Sequence, residues 1–415
     1  MRLKVVIGII AMLMILSILI PASRADTEIV PKAEEEELTP ILFATAALEP
    51  WFESYTPHDM CVSNDGTMFA VGFNPMWQLI RGDTPTSLVA WGNDGNVLWS
   101  RNSSVFSILL YEVATDDQHV FVVGRYSGDI YLAKYDFLGN NLWNISWDLG
   151  NSEYGTRLAL LDDGTIVIGG NSFNYSEPYT SQDFLMAFDQ DGGFQWIHMF
   201  PEPVSFCCLS NSIYSVTNNT LQKWTSNGDL AWSRTCDEGK LVCISEYLIY
   251  VLDPPDIIIY GSTSFNVTMW NIQTNERIWS HSYRICDTYH NVYNSSSFDY
   301  AVTKNGSLMV LFNVLVLHSI YVLNIDHEGT LTHQVKLLNS TNVAACFDLD
   351  ETDRIHIAGS SKEYDLFVAV FRLENLPPSH SDGLLSNIQI VAVVTIAVIL
   401  VDAGIIIALR RRYSS

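Results

Sequence analysis

The segment Leu158–Trp196 reads LALLDDGTIVIGG over 158–170, continues through the polar stretch Asn171–Gln182, and resumes as DFLMAFDQDGGFQW over 183–196. One apolar run breaks at Asp162-Asp163-Gly164 and restarts as Thr165-Ile166-Val167-Ile168. Another, Phe184–Phe188, breaks at Asp191-Gly192-Gly193 and leads into Trp196. Asp-Gly between apolar runs signals a hairpin, because the turn needs positive φ that glycine adopts freely. The segment therefore predicts a unit of four antiparallel strands. Such a sheet is apolar on both faces and must be covered on both.

The unit recurs. A first copy runs through Asn64-Asp65-Gly66, Met68–Phe73, Ser87–Trp91, Asp94-Gly95 and Trp99. A second has Val120–Gly124, Ile130–Tyr135, Gly139 and Trp143, and the quoted segment is the third. Ile213–Thr217, Leu221–Trp224, Asn227-Gly228 and Trp232 make a fourth; Leu248–Leu252, Val267–Trp270 and Trp279 a fifth. The sixth has Leu308–Asn313, Ile320–Ile325 and Glu328-Gly329, with His333 where the tryptophan belongs. The seventh, Arg354–Gly359 and Leu366–Arg372, stops one strand short. Successive tryptophans from Trp99 to Trp279 stand 44, 53, 36 and 47 residues apart. A four-stranded period near that length predicts an all-β, seven-bladed β-propeller. Glu49–Tyr55, carrying Trp51, has the look of a last strand standing alone, and we expect it to complete the seventh sheet and close the ring. A β-sandwich would explain the strand count but not the repeated tryptophan phase.

SLVAWGNDGNVLW, YLAKYDFLGNNLW and NVTMWNIQTNERIW resemble the quinoprotein-like (PQQ-like) propeller repeat and neighbouring bacterial and archaeal propeller repeats, over roughly Trp51–Arg372. The resemblance implies a tryptophan after a glycine turn, packed between adjacent sheets. It leaves function open, since one fold hosts many activities. In quinoprotein alcohol dehydrogenases a disulfide between neighbouring cysteines lies over the quinone, so Cys207-Cys208 raises a PQQ-dependent oxidoreductase as an alternative. The absence of a recognisable calcium-ligand set and the seven-sheet count, where those enzymes have eight, favour Cys207 and Cys208 as packing on an innermost strand. Cys61, Cys243 and Cys346 fall on other innermost strands and are expected to be reduced.

The ends point to export and anchoring. Residues 1–25 form a basic start, an apolar run and Ser23-Arg24-Ala25, a signal-peptide pattern whose rival is an uncleaved anchor. Residues 26–48 read as an acidic linker, in which the four like charges Glu34–Glu37 have no reason to pack. The propeller is expected over 49–373, a Pro/Ser stalk over 374–387, a transmembrane helix over 388–409 and a cytoplasmic tail over 410–415 beginning Arg410-Arg411-Arg412. Asp402 lies inside that helix beside the small pair Gly404 and Ala408, an arrangement suited to self-association. A formal charge of −24 speaks against nucleic acid. Sequons occur at Asn102, Asn144, Asn174, Asn218, Asn266, Asn294, Asn305 and Asn339.

No GxxxxGK[ST], HExxH, GxSxG or GxGxxG motif occurs, and the histidines are scattered, so no catalytic residue, cofactor or metal is expected. Asp348, Asp350 and Asp353 in one turn are a weak Ca²⁺ candidate, lacking the EF-hand glycine and terminal glutamate. Cys236 and Cys286 both follow an outer strand of adjacent sheets, and we expect a disulfide between them. In a four-stranded propeller sheet the second-to-third and sheet-to-sheet connections share one face, and the tight turns share the other. The long loops Asn74–Thr86, Asn171–Gln182, Asp253–Phe265 and Asp287–Ser297 then crowd one face with Trp77, Tyr175, Tyr179, Tyr289, His290 and Tyr293. Aromatic loop residues on a rigid scaffold predict a binding face for an extracellular protein or glycan. The expected function is a surface-exposed binding or adhesion module, with an envelope assembly scaffold as a further alternative.

Overall fold

The computed structural model describes residues 28–30, 35–37, 40–46, 56–73, 86–103, 108–236, 239–243, 245, 247–253, 264–274, 276–284, 298–314, 319–339, 343–360 and 366–372. They form seven sheets arranged as a propeller, each built on four antiparallel strands. The innermost strands are Thr56–Val62, Ile108–Thr115, Ser152–Leu160, Ser205–Leu209, Lys240–Cys243, Phe298–Val302 and Val343–Leu349, for sheets 1 to 7. Each touches the next in ring order, and the seventh returns to the first.

The quoted segment is sheet 3, with strands Ser152–Leu160, Ile166–Asn174, Thr180–Phe188 and Phe194–Phe200. Its two middle strands are buried on both faces because a sheet packs on either side. Ile166, Val167, Ile168, Phe184, Met186 and Phe188 are all fully buried. That double burial is why the middle strands read as continuous apolar runs. The last strand has one wet face, and partly buried positions alternate with exposed ones along Asn141–Trp147 of sheet 2.

The outer tryptophans work as the repeat implied. Trp99, Trp143, Trp196 and Trp279 each donate Nε1–H to a carbonyl in the last hairpin of the next sheet: Phe137 (2.7 Å), Gln190 (3.0 Å), Ser226 (2.7 Å) and His327 (2.9 Å). The glycine of that hairpin is the floor on which the ring lies. A Cβ at Gly139 would stand 2.7 Å from the Trp99 ring, and one at Gly228 2.7 Å from Trp196. These hairpins are not two-residue turns. The glycine N–H bonds a carbonyl three residues back, as Gly139 to Asp136 (2.9 Å) and Gly228 to Thr225 (3.0 Å), and the ladder is bulged beside it. The residue two after the tryptophan adds a second grip: Arg101 Nε donates to Gly139 O at 2.6 Å, and His198 Nε2 meets Gly228 O at 2.8 Å.

An N-terminal strand completes sheet 7 and closes the ring as expected, but the segment is a different one. The fourth strand of sheet 7 is Leu42–Ala46, antiparallel to Leu366–Phe371, and not Glu49–Tyr55, which lies outside the described residues. Position rather than aromatic character selects it: a Cβ at Gly95 of sheet 1 would meet Leu42 Cδ1 at 2.9 Å, so Leu42 and Ala44 occupy the place a tryptophan takes elsewhere. The segment read as an acidic linker also contains Glu28–Val30 and Glu35–Glu37. These pair in parallel with the outer strands of sheets 5 and 6, making both five-stranded. Backbone pairing at an edge asks nothing of side-chain polarity, so an acidic run can serve as a strand. Leu42–Ala46 starts, and Leu366–Phe371 ends, on the face of the tight turns.

Candidate functional site at the propeller axis and long-loop face

The innermost strands of sheets 1, 2, 3 and 7 each shift register once, between Pro57 and Asp59, Leu110 and Glu112, Gly155 and Arg157, and Ala344 and Cys346. Asp59, Glu112 and Arg157 therefore occupy equivalent places just past a bulge. The carboxylates reach sideways and stitch neighbouring sheets. Asp59 Oδ2 accepts from Val113 N of sheet 2 at 2.8 Å, and Glu112 Oε2 accepts from Leu158 N of sheet 3. Asp299 Oδ2 accepts from Phe347 N of sheet 7 at 2.9 Å, and Asp348 Oδ2 from Val62 N of sheet 1 at 2.9 Å. Arg157 Nη1 lies 3.5 Å from Glu112 Oε1, and its side chain stays half-exposed.

Four carboxylates near one axis do not ionise freely. Burial pushes Glu112 up to about 7, against the pull of Arg157, and Asp348 also up to about 7. Burial and then the Glu112 charge hold Asp59 well above the usual carboxylate range, and burial raises Asp299. Burial lowers the Lys240 ammonium, assisted by Arg157. Desolvation dominates throughout. The axis thus gathers four carboxylates whose acidity burial weakens, each accepting from a backbone N–H, beside Arg157.

Above it, at the long-loop ends of sheets 1 to 3, runs an arc of aromatic rings. His58 stacks on Phe73 at 4.3 Å and meets Tyr111 edge-on at 5.6 Å. Tyr111 packs on Tyr154 at 6.4 Å, Tyr154 on Phe173 at 5.7 Å, and Phe173 on Tyr175 at 6.2 Å. Arg125 lies over Tyr154 at 4.4 Å and donates to its hydroxyl at 2.6 Å. Burial lowers His58 to about 4, so it is neutral near pH 7, and raises the Tyr111 hydroxyl to about 12. The arc offers flat faces and hydroxyls, a surface for stacking and cation–π contact.

Of the aromatic residues expected on this face, Tyr175 and Tyr179 are described, and both are exposed, at 65% and 71%. Trp77, Tyr289, His290 and Tyr293 lie outside the described residues. The loop in sheet 3 is shorter than expected: Asn171–Asn174 and Thr180–Gln182 are strand, leaving Tyr175–Tyr179. The three aspartates expected in one turn do not converge. Asp348 binds Val62, Asp350 takes the Thr352 and Arg354 amides and His356 Nε2, and Asp353 accepts from Lys304 N at 3.0 Å.

Of the expected Cys236–Cys286 pair, Cys236 is buried beside Tyr214, Val216 and Leu221, and Cys286 lies outside the described residues. Cys61 and Cys346 are buried thiols as expected. Cys207 is disulfide-bonded, but Cys208 is a thiol, so the two are not joined to each other. Successive strand residues point to opposite sides of a sheet, which sets the two sulfurs apart. The sequon residues Asn102, Asn144, Asn218, Asn266 and Asn305 are exposed and Asn174 is half-buried; Asn294 and Asp402 lie outside the described residues. Among the described residues no helix is long and apolar enough to cross a membrane, and 388–409 is not among them.

Asp59, Glu112, Arg157 and the arc apart from Tyr175 escaped the sequence reading. Their one sequence signal is a charged residue inside an otherwise apolar inner strand, as in His58-Asp59-Met60-Cys61 and Tyr111-Glu112-Val113. A separate cavity of about 550 Å³ opens between sheets 2 and 3 on the tight-turn face, lined by Asp116, Asp117 and Asp162 among others. Two of its acids are occupied: Asp116 takes the Gln118 and His119 amides of its own turn, and Asp117 accepts from Asn64 of sheet 1. The axis and arc are therefore the better candidate site.

No protein-family model matches the chain, and no curated protein matches it. Among solved structures, the chain is similar to the Neurospora crassa Pan2 WD40 domain, with a TM-score of 0.52 and 10% identity over 82% of this chain and 98% of that one. It is also similar to the Dos1 propeller, with a TM-score of 0.47 and 11% identity over 77% of this chain and 78% of that one. The first likeness supports the WD40-like, seven-bladed fold and nothing finer.

Proposed function

We propose that this chain is a protein-interaction module held at the outside of a membrane, and that its partner docks on the long-loop face. The observation that carries the reading is the aromatic arc from Phe73 to Tyr175, which ends in an exposed ring beside the equally exposed Tyr179. Rigid aromatic groups on a preorganised scaffold are the kind of surface that anchors a partner at little entropic cost. A chain of charge −24 suits a partner segment with basic and apolar side chains, whose cations the ring faces would accept. The apolar runs near 5–20 and 388–409 support export and a single anchor with the Arg410–Arg412 end inside, and Asp402 supports self-association of that anchor. The closing strand starts on the tight-turn face and the last strand ends there, which supports a long-loop face turned away from the membrane.

Photo-crosslinking tests the docking face. A benzophenone amino acid replacing Tyr179 should give a discrete adduct on cells, weakened at least fivefold by adding Tyr175→Ser. The same probe replacing Asp94, on the tight-turn face, should give none. Equal or stronger adducts from Asp94 would overturn the assignment of the face.

A further inference from the structure

Asp129, Asp148 and Glu153 meet where sheet 2 passes to sheet 3. One carboxylate oxygen from each lies within 4.8 Å of the other two. Asp129 opens the third strand of sheet 2, Asp148 follows its outer strand, and Glu153 is the second residue of the innermost strand of sheet 3. The connection reads Asp148-Leu149-Gly150-Asn151-Ser152-Glu153, so two acids close a single short loop.

Glu153 is the informative member. It is fully buried, at 0% exposure. Its Oε1 accepts from Asn151 N at 2.8 Å and from Ser172 Oγ at 3.2 Å. Its Oε2 is shut off from solvent and has no hydrogen-bond partner. A buried acceptor left unmade is unfavourable, and native proteins seldom leave one without a reason. The other acids are held in place but not neutralised: Asp148 Oδ1 accepts from Gly150 N at 2.6 Å, and Asp129 Oδ2 from Ser146 Oγ at 3.1 Å. Arg125, the nearby cation, donates to Tyr154 Oη and Ser152 Oγ. Among the described residues none forms an ion pair with the three acids.

We infer that Asp129, Asp148 and Glu153 form a Ca²⁺ site that ties sheet 2 to sheet 3. Donors that are all oxygen, with no histidine or cysteine, suit a hard cation. Ligands carried on a loop and two strand ends give the adaptable geometry that Ca²⁺ accepts and Mg²⁺ does not. The ion would supply the partner that Glu153 Oε2 lacks and balance three clustered carboxylates. It would also pin the start of the strand that carries Tyr154.

The test uses the full chain in detergent, stripped with EDTA. Ca²⁺ at 1 mM should raise the melting temperature by roughly 3 °C or more, with Mg²⁺ at the same concentration giving less than half of that rise. Tb³⁺ should luminesce on excitation of aromatic residues, Trp147 being next to Asp148 in sequence, and Ca²⁺ should quench the signal by displacement. Glu153→Gln and Asp148→Asn should each weaken Tb³⁺ binding at least tenfold. Asp148 is exposed, so its variant answers the question even if Glu153→Gln folds poorly. Asp94→Asn, in a remote turn, should leave binding unchanged. An absent Ca²⁺ shift, equal stabilisation by Mg²⁺, or Tb³⁺ luminescence unaltered in Asp148→Asn would overturn the assignment.

Discussion

The glycine beneath each outer tryptophan answers two demands at once. Gly139 and Gly228 sit at φ +77° and +80°, and each also has an indole ring within 2.7 Å of where a Cβ would stand. Gly192 has the same backbone, φ +83°, but the Trp143 ring is 3.4 Å away, an ordinary contact. Alanine at Gly192 should therefore cost about 1–2 kcal/mol for left-handed backbone alone. At Gly139 or Gly228 it should cost roughly 1–3 kcal/mol more, because the ring must lift off and its Nε1 bond weakens. Urea denaturation of the three variants checks the ranking; equal losses would mean the ring contact contributes nothing. The turn glycines of these hairpins, at Gly139, Asp191-Gly192 and Asn227-Gly228, were visible in the sequence, but the indole that meets each was not, because it arrives from about 40 residues away.

A closing strand is defined by where it docks, not by what it contains. Leu42–Ala46 lies opposite Leu366–Val370, with Ala44 facing Val368 across the ladder. Cross-strand partners stand about 4.5–5.5 Å apart at Cα, within disulfide reach. Cysteines replacing Ala44 and Val368 should oxidise readily and raise stability by up to roughly 5 kcal/mol, since the bridge closes nearly the whole propeller as one loop. Thiol titration and melting with and without reductant read the outcome. A failure of the pair to oxidise would remove Leu42–Ala46 as the clasp. Trp51 made a neighbouring segment look right because tryptophan marks five outer strands, yet Leu42 fills the equivalent space against Gly95.

Carboxylates drawn from four sheets make stability depend on pH over the whole ring. Glu112 and Asp348, held at about 7, bind protons in the folded chain that the unfolded chain releases near pH 4. Their contribution is complete below about pH 4 and is lost as pH rises through 7, so the slope of stability against pH is negative there. Each group should lose roughly 1 kcal/mol between pH 6 and pH 8. His58, lowered to about 4, acts with the opposite sign below its unfolded value near 6.5. The readout is therefore a difference: the advantage of wild type over Asp348→Asn should shrink by about 1 kcal/mol from pH 6 to pH 8. Asparagine can still accept from Val62 N, so a difference independent of pH would show that Asp348 does not hold its proton. Asp299 and Asp350 face the same group and keep it raised in concert with burial.

By itself, the sequence carried the repeat, the four-strand unit, the count of seven and the tryptophan phase. These follow from local turn chemistry and from strands buried on both faces, which leave a periodic mark along the chain. Tyr175 and Tyr179 were legible on the same basis, since a loop between the second and third strands must emerge on one face. Tertiary structure alone decided which strand closes the ring and that Glu35–Glu37 pairs as an edge strand. It alone brought Asp59, Glu112, Asp299 and Asp348 to one axis and set Asp129 beside Glu153. Those relations join residues of different sheets, and the chain records only that each is polar; which others it meets is decided when seven sheets close on one another.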